Sequence, residues 1–143
     1  MTRRRLAALS FAALTAAALG ACRRPAAIPS DLFAAEAAGG WHRTSLRDVP
    51  ASEAPDPVPR SSIDRIVAAS YEGPGKIEAR VYALSAREVA LDLVQRWRPS
   101  ADTVFFQHGP FFVVLKWQSA DRQLLKQFIA DLEKRLASTD SGK

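Results

Sequence analysis

The chain has 143 residues, of which 48% are hydrophobic and 24% are charged, and its formal net charge is +5 at pH 7. This length supports one hydrophobic core and is too short for two ordinary domains. A basic chain invites a nucleic-acid interpretation, but three of the arginines stand together at positions 3–5, ahead of an apolar run. The total charge is therefore a poor guide to the ligand.

The N-terminal leader has the layout of an export signal. The three arginines precede an apolar run at 6–19, and small residues follow it. Leu19, Gly20 and Ala21 stand directly before Cys22, which is the only cysteine. This arrangement resembles the lipobox of bacterial lipoproteins. In that family a signal peptidase recognises these positions and cuts before the cysteine, whose sulfur carries a diacylglycerol and whose new amine is usually acylated with a fatty acid such as palmitate.

The resemblance implies a cleaved signal peptide at 1–21. Its removal takes away three arginines and no acid, so 17 basic and 15 acidic residues remain and the net charge falls to +2. Several acyl chains hold a protein durably on a membrane. Arg23 follows the cysteine, in place of the aspartate linked to inner-membrane retention. The resemblance therefore implies the periplasmic side of the outer membrane in Gram-negative cells, and otherwise the outer face of the cytoplasmic membrane.

Two other interpretations of the leader stay open. A retained transmembrane helix needs about 20 apolar residues, whereas this run has 14 and contains Ser10 and Thr15. An ordinary secretory signal would release the mature protein into solution. It would leave Cys22 unpaired in an exported protein, and acylation explains that cysteine.

Composition divides the rest of the chain into four parts. Residues 22–30 form a proline-bearing tether, 31–60 a short helix at 31–38 followed by a proline-rich connection, 61–138 the core domain, and 139–143 a disordered tail. Four prolines between positions 50 and 59 remove backbone donors and block regular structure in that connection.

The core domain alternates strands and helices. The capping-box pattern of Ser85 and Glu88 predicts a helix start, and Ser119 is expected to cap the last helix. The predicted elements are strands at 63–71 and 76–84, a helix to about Trp97, strands at 103–107 and 110–117, and a final helix. The predicted fold is α+β, with an antiparallel sheet of at least four strands, two helices on one face, and the order ββα-ββα.

The stretch Phe111 to Leu115 is apolar at every position. A strand with one solvated face alternates, so both faces of this strand need cover. Either Trp41, the segment around Phe33 and the proline-rich connection fold over the second face, or that face docks a lipid, a peptide or a partner protein. The candidate interaction face for docking consists of Trp41, Phe112, Val114 and Trp117. By contrast, Glu78 and Arg80 alternate with apolar residues, which predicts a half-solvated strand.

Catalytic chemistry is sparse in this sequence. His42 and His108 are the only histidines and have no carboxylates at ligand spacing, so no metal and no other cofactor is predicted. Ser85 and Ser119 are explained as caps, and neither stands in a nucleophile elbow, so no catalytic residue is predicted. The run at 108–115 matches an RNA-recognition motif at only a few positions, and that fold has a different element order. No nucleic-acid partner is expected.

A second resemblance covers the chain from Trp41 to Leu136. It rests on the Gly-Trp pair, a tyrosine-containing strand that ends in glycine, the strand at 81–84, Gln95 in a helix and the Gly-Pro-Phe-Phe-Val-Val stretch at 109–114. These features resemble small bacterial lipoproteins without an assigned activity. The sequence therefore predicts a membrane-anchored lipoprotein of the cell envelope that acts as a protein-interaction module for an envelope protein. A periplasmic lipid-binding or small-ligand-binding domain is the alternative, and an enzyme of unrecognised type is the third interpretation.

Overall fold

A computed structural model describes residues 25–98 and 100–139. Leu19, Gly20, Ala21 and Cys22 lie outside the described residues, as does the end of the chain from position 140. The predictions for the signal peptide, the lipidation site and the tail therefore stay predictions. Within the described ranges, no helix is both long and apolar enough to cross a membrane.

Six strands form one antiparallel sheet, and two helices pack against it. The elements are β1 Glu36–Ala37, β2 Trp41–Val49, β3 Ile63–Glu72, β4 Lys76–Leu84, α1 Arg87–Arg96, β5 Thr103–His108, β6 Phe111–Gln118 and α2 Arg122–Ser138. The sheet order is β1-β2-β3-β4-β6-β5. The α+β class and the antiparallel sheet are confirmed. The predicted ββα-ββα order is not confirmed, because β1 and β2 precede that series in the same sheet.

The N-terminal part of the sheet differs from the prediction. Residues 31–38 contain a turn and then β1, and no helix forms there. β2 was not predicted, because only its two ends, Trp41 and Val49, are buried while the residues between them are polar or exposed. Ala26 and Ile28 pack against the core, so part of the predicted tether at 22–30 lies on the domain.

The two helices cover opposite faces of the sheet. Successive strand residues point to opposite sides, and β6 shows both. Phe111 and Val113 join the cluster that α2 covers, and Phe112 and Val114 join the cluster that α1 covers. We call these sides the α2 face and the α1 face. The prediction of two helices on one face is therefore not confirmed, since an all-apolar β6 needs cover on both sides.

On the α2 face, the N-terminal segment lies beside the helix. Leu32 and Phe33 are buried in the same cluster as α2. The Tyr71 hydroxyl donates a hydrogen bond to the Ala34 carbonyl oxygen at 2.8 Å, which ties this segment to β3. The α2 face is therefore covered by α2 and by the segment around Phe33.

On the α1 face, the helix shares the cover with the proline-rich connection. Ala90 and Leu93 are the buried residues of α1. Ala54 and Val58 of the connection belong to the same cluster. The sealing interpretation placed Trp41, the segment around Phe33 and the proline-rich connection over one face. Trp41 and Phe33 instead lie on the α2 face and the connection on the α1 face.

Both helices begin at caps other than the predicted ones. Ala86 precedes α1 and makes no side-chain capping bond, so the expected capping box of Ser85 is absent. The Asp121 carboxylate caps α2 by accepting hydrogen bonds from the backbone N–H groups of Gln123 and Leu124, at 2.9 and 3.0 Å. Ser119 instead adopts a positive φ of 51° in the preceding turn.

Alkaline pH is expected to destabilise the fold through Tyr71. Burial raises the pKa of this tyrosine from 10.0 to about 12. The folded chain then holds a proton that the unfolded chain releases, so the contribution is complete below pH 10 and is lost as pH rises through 12. Each pKa unit corresponds to about 1.4 kcal/mol, so the free energy of unfolding should fall by up to ~3 kcal/mol across this window.

Urea unfolding, followed by circular dichroism across that pH window, measures this loss. Tyr71→Phe removes this titrating group and is expected to reduce the pH dependence, leaving the part due to Tyr82, whose pKa burial also raises. The variant also loses the bond to Ala34. A wild-type stability that does not change between pH 10 and 12 would contradict the assignment.

Candidate binding groove

An open groove of about 580 Å³ crosses the α1 face of the sheet. β4 and β6 form its floor. The segment from the end of α1 to the start of β5 forms one wall, which we call the helix wall. The proline-rich connection forms the other, which we call the proline wall. This volume lies within the range of ordinary ligand sites.

The floor passes from buried aromatic rings to exposed charges. Glu78, Arg80 and Tyr82 alternate along β4 and therefore point to the same side. In the register with β6, Arg80 stands opposite Val114 and Glu78 stands opposite Lys116. Tyr82 is only 1% exposed, whereas Glu78 is exposed. The groove thus lies at the boundary between the buried core under α1 and the solvent-exposed part of the sheet.

Arg80 lines the groove between Tyr82 and Glu78, at the boundary between these regions. Burial raises the pKa of Tyr82, while a hydrogen bond from Arg80 and its positive charge oppose that rise. A guanidinium has several N–H donors in a planar fork, so Arg80 can offer donors to a ligand in the groove. An acidic group in the groove would therefore meet a positioned cation and a phenol.

The two walls carry opposite charges. Arg96 and Arg98 line the helix wall, and Glu53 and Asp56 line the proline wall. Neighbours outside the groove partly neutralise two of them. Glu53 lies 3.6 Å from Arg47, and Arg96 pairs with Asp92 one turn earlier on α1.

Apolar side chains complete both walls. Trp97 lies on the helix wall, opposite Pro55 and Pro57 on the proline wall. The Trp97 ring is fixed by its neighbours, because its centroid lies 5.1 Å from that of Phe112 and 6.3 Å from that of Phe105. The groove can therefore receive a ligand with apolar parts and with charges of both signs.

A second depression of about 470 Å³ adjoins the groove towards the other end of β4. Glu78 and Lys116 line both. Its remaining lining is mostly polar and includes Ser70, Lys76 and Gln118. A long ligand in the groove could thus continue across a polar surface of the sheet.

The predicted interaction face does not form. Trp41 and Phe112 are fully buried, Val114 is 6% exposed and Trp117 is half-buried. Trp41 and Trp117 also belong to the α2 face, while Phe112 and Val114 belong to the α1 face. Helices cover both faces, so these four residues share no surface. Val114 alone reaches the groove.

The charged residues of the groove were not predicted as a site. Nothing in the sequence distinguishes Arg96 and Arg98 from the charged residues of an ordinary solvated surface. The alternation of Glu78 and Arg80 with apolar residues along β4 was the one signal that pointed to this region. It marks where polar side chains interrupt the α1 face.

The described residues hold no other chemically distinctive cluster. No group of three or more His, Cys, Asp or Glu side chains in residues 25–98 and 100–139 is arranged to hold a metal ion. Arg65 hydrogen-bonds the exposed Asp48 carboxylate and lowers its pKa, away from the groove. His42 lies 2.5 Å from Glu36 at the exposed edge of the sheet.

No protein family, curated protein or solved structure shows significant similarity to the chain. Function is therefore inferred from the leader sequence and from the geometry of the groove.

Proposed function

We propose that the protein is a lipid-anchored lipoprotein of the cell envelope whose domain binds a partner protein in the groove on the α1 face. Cys22 would carry the lipid after removal of residues 1–21. The domain would lie on the periplasmic side of the outer membrane in a Gram-negative cell, or on the outer face of the cytoplasmic membrane elsewhere. The observation that carries the binding proposal is the open groove with oppositely charged walls.

A polypeptide segment fits this groove in three respects. Its apolar side chains can contact Trp97, Pro55 and Pro57, and aromatic-lined grooves are a recurring way to bind extended peptides. Its acidic side chains can reach the helix wall and its basic side chains the proline wall. Because the groove is open, a segment can enter from the side without threading.

A small acidic ligand is the second candidate, and the Arg80 and Tyr82 pair favours it. The volume suits such a ligand, and the guanidinium beside the phenol would bind a carboxylate or phosphate. The proposal in either form is one of binding and includes no catalytic step.

Metabolic labelling with a fatty acid tests the anchor. We expect label in the native chain and none in Cys22→Ala, because that sulfur is the proposed attachment site. Label that persists in Cys22→Ala, or its absence from the native chain, would rule out lipidation at this position. Membrane fractionation of both chains should show the same difference.

Site-specific photo-crosslinking in intact cells tests the groove. A crosslinker at Ser100, which lines the groove, is expected to give a discrete protein adduct, and one at Leu91 on the outer side of α1 is not. Charge reversal by Arg98→Glu should remove the adduct. Arg87→Glu serves as the matched control, since it makes the same change at an exposed position outside the groove.

Equal adducts from Ser100 and Leu91, or an adduct that Arg98→Glu does not change, would contradict a partner in the groove. A small ligand would instead appear in native mass spectrometry of the purified protein. In that case Arg80→Ala should lose it, and no protein adduct should form at Ser100.

A further inference from the structure

Strand β5 forms one edge of the sheet and pairs only with β6 in the described chain. Its sequence, Thr-Val-Phe-Phe-Gln-His, contains no Lys, Arg, Asp, Glu or Pro. Its pairing with β6 is uninterrupted, without a bulge. Every residue of β5 is half-buried, so the strand is neither sealed in the core nor fully solvated. An uncharged, regular edge of this kind is a template for pairing with another strand.

The opposite edge of the sheet is protected. β1 covers the start of β2 with only two residues, and the β2 register shifts between Arg43 and Ser45. Arg47 and Asp48 follow as exposed charges on the same strand. A very short edge strand, a bulge and charged side chains are the features that prevent unwanted pairing. β5 has none of them.

We propose that β5 pairs antiparallel with β5 of a second copy of this chain, which joins the two sheets into one. A two-fold axis perpendicular to the sheet would relate the copies, so the contact is self-complementary and closes at a dimer. This pairing is made by the backbone at the edge of the sheet. Thr103 is the one β5 residue that also lines the groove, and the pairing needs no ligand there, so it stands independently of the proposed function.

The sequence of β5 favours a second copy over a different partner. The two-fold axis keeps each face on its own side, so residues opposite one another must share a face. A register centred on Phe105 sets this ring opposite its own counterpart on the α1 face. It sets Val104 opposite Phe106 of the second copy on the α2 face. Two kinds of cross-strand pair stabilise antiparallel strands: two aromatic residues, and an aromatic residue opposite a β-branched one.

The remaining pair in this register is Thr103 opposite Gln107 of the second copy, so polar residues also meet polar residues. No like charges face one another, because β5 carries no Lys, Arg, Asp or Glu. A charged segment of another protein would find no Lys, Arg, Asp or Glu side chain along this strand. Self-pairing is therefore the arrangement that the edge fits best.

Cysteine cross-linking of the full chain in intact cells tests the proposal. Thr103→Cys and Gln107→Cys are introduced together. These positions lie about 13 Å apart within one extended strand, too far for an internal disulfide. A disulfide between them therefore reports a second copy. We expect a dimer on non-reducing electrophoresis, well above the background from the chain that carries Cys22 alone.

The matched control places the cysteines on opposite faces, with Val104→Cys and Gln107→Cys. This pair is expected to stay at background. Equal dimer from both pairs, or no dimer from Thr103→Cys with Gln107→Cys in a folded chain, would overturn the proposal. A ladder beyond the dimer would also overturn it, since each chain has one β5 edge.

A charge on the edge gives a second measurement. Val104 belongs to neither core cluster, so Val104→Lys, added to the cysteine pair, should fold and should reduce the dimer at least about tenfold. Val104→Thr and Leu46→Lys serve as controls that should leave the dimer unchanged. Circular dichroism checks that each variant is folded. A dimer that Val104→Lys leaves unchanged would count against β5 as the interface.

Discussion

Replacing Trp41 by alanine is expected to lower the free energy of unfolding by about 3–5 kcal/mol. The side chain is 0% exposed, and its ring lies edge-on to Phe128 of α2 with centroids 6.2 Å apart. Its indole N–H donates to the Leu124 carbonyl oxygen at 3.2 Å. Truncation would leave a cavity between β2 and α2 and remove this bond. Urea unfolding followed by circular dichroism measures the loss.

Two variants separate the cavity from other effects. Trp41→Phe keeps an aromatic ring but lacks the N–H donor, so we expect a smaller loss of about 1–2 kcal/mol. Leu46→Ala changes the same strand at a side chain that is 47% exposed, and its effect should stay within about 0.5 kcal/mol. A loss below about 1 kcal/mol for Trp41→Ala would show that Trp41 does not secure β2 to α2.

Gly73→Ala is expected to destabilise the fold by about 3 kcal/mol or more. Gly73 lies in the β3–β4 turn with a φ of +153°, and an added Cβ would stand 2.4 Å from the Gly40 carbonyl oxygen. Neither group is the end of a flexible side chain, so backbone would have to move. The β3–β4 turn and the start of β2 would then separate. Thermal and urea unfolding both measure the effect.

Gly109→Ala is the matched control. Gly109 also lies in a strand–strand turn, with a φ of +53°, but an added Cβ there meets nothing within 4 Å. Its cost should be only the left-handed backbone penalty of about 1–2 kcal/mol. If Gly109→Ala were as damaging as Gly73→Ala, the close approach to Gly40 would not be the cause.

The sequence predicted the elements whose periodicity reflects burial. β3, β4, β5 and β6 and both helices lie close to their expected positions, because apolar residues recur in them with the period of a strand or a helix. The sequence did not predict β2, because only the side chains at its two ends, Trp41 and Val49, are buried. Its central residues carry charges at an exposed edge, where alternation gives no signal.

The sequence pattern could not predict which face of the sheet each helix covers. The all-apolar run of β6 correctly indicates that both faces need cover. It contains no information on which segment covers which face, since α1 and α2 both follow a strand after a short connection. Long-range contacts, such as that between Phe33 and α2, decide this distribution.

Local sequence patterns could not predict the groove either, because four separate parts of the chain build it. Asp56, Arg80, Arg96 and Lys116 come from the proline-rich connection, β4, α1 and β6. Each of them alone is an ordinary surface charge. The predicted face failed for the opposite reason, because large aromatic residues such as Trp41 more often fill a core than expose themselves.

The packing of Ala26 and Ile28 against the α2 face limits how far the domain could stand from any anchor at Cys22. Four peptide steps separate Cys22 from Ala26, and fully extended chain covers about 15 Å over that distance. A lipid on Cys22 would thus hold the domain close to the bilayer, on a tether that leaves from the α2 side. The groove lies on the other side of the sheet from this attachment, so the anchor would leave it accessible to molecules in the surrounding aqueous space.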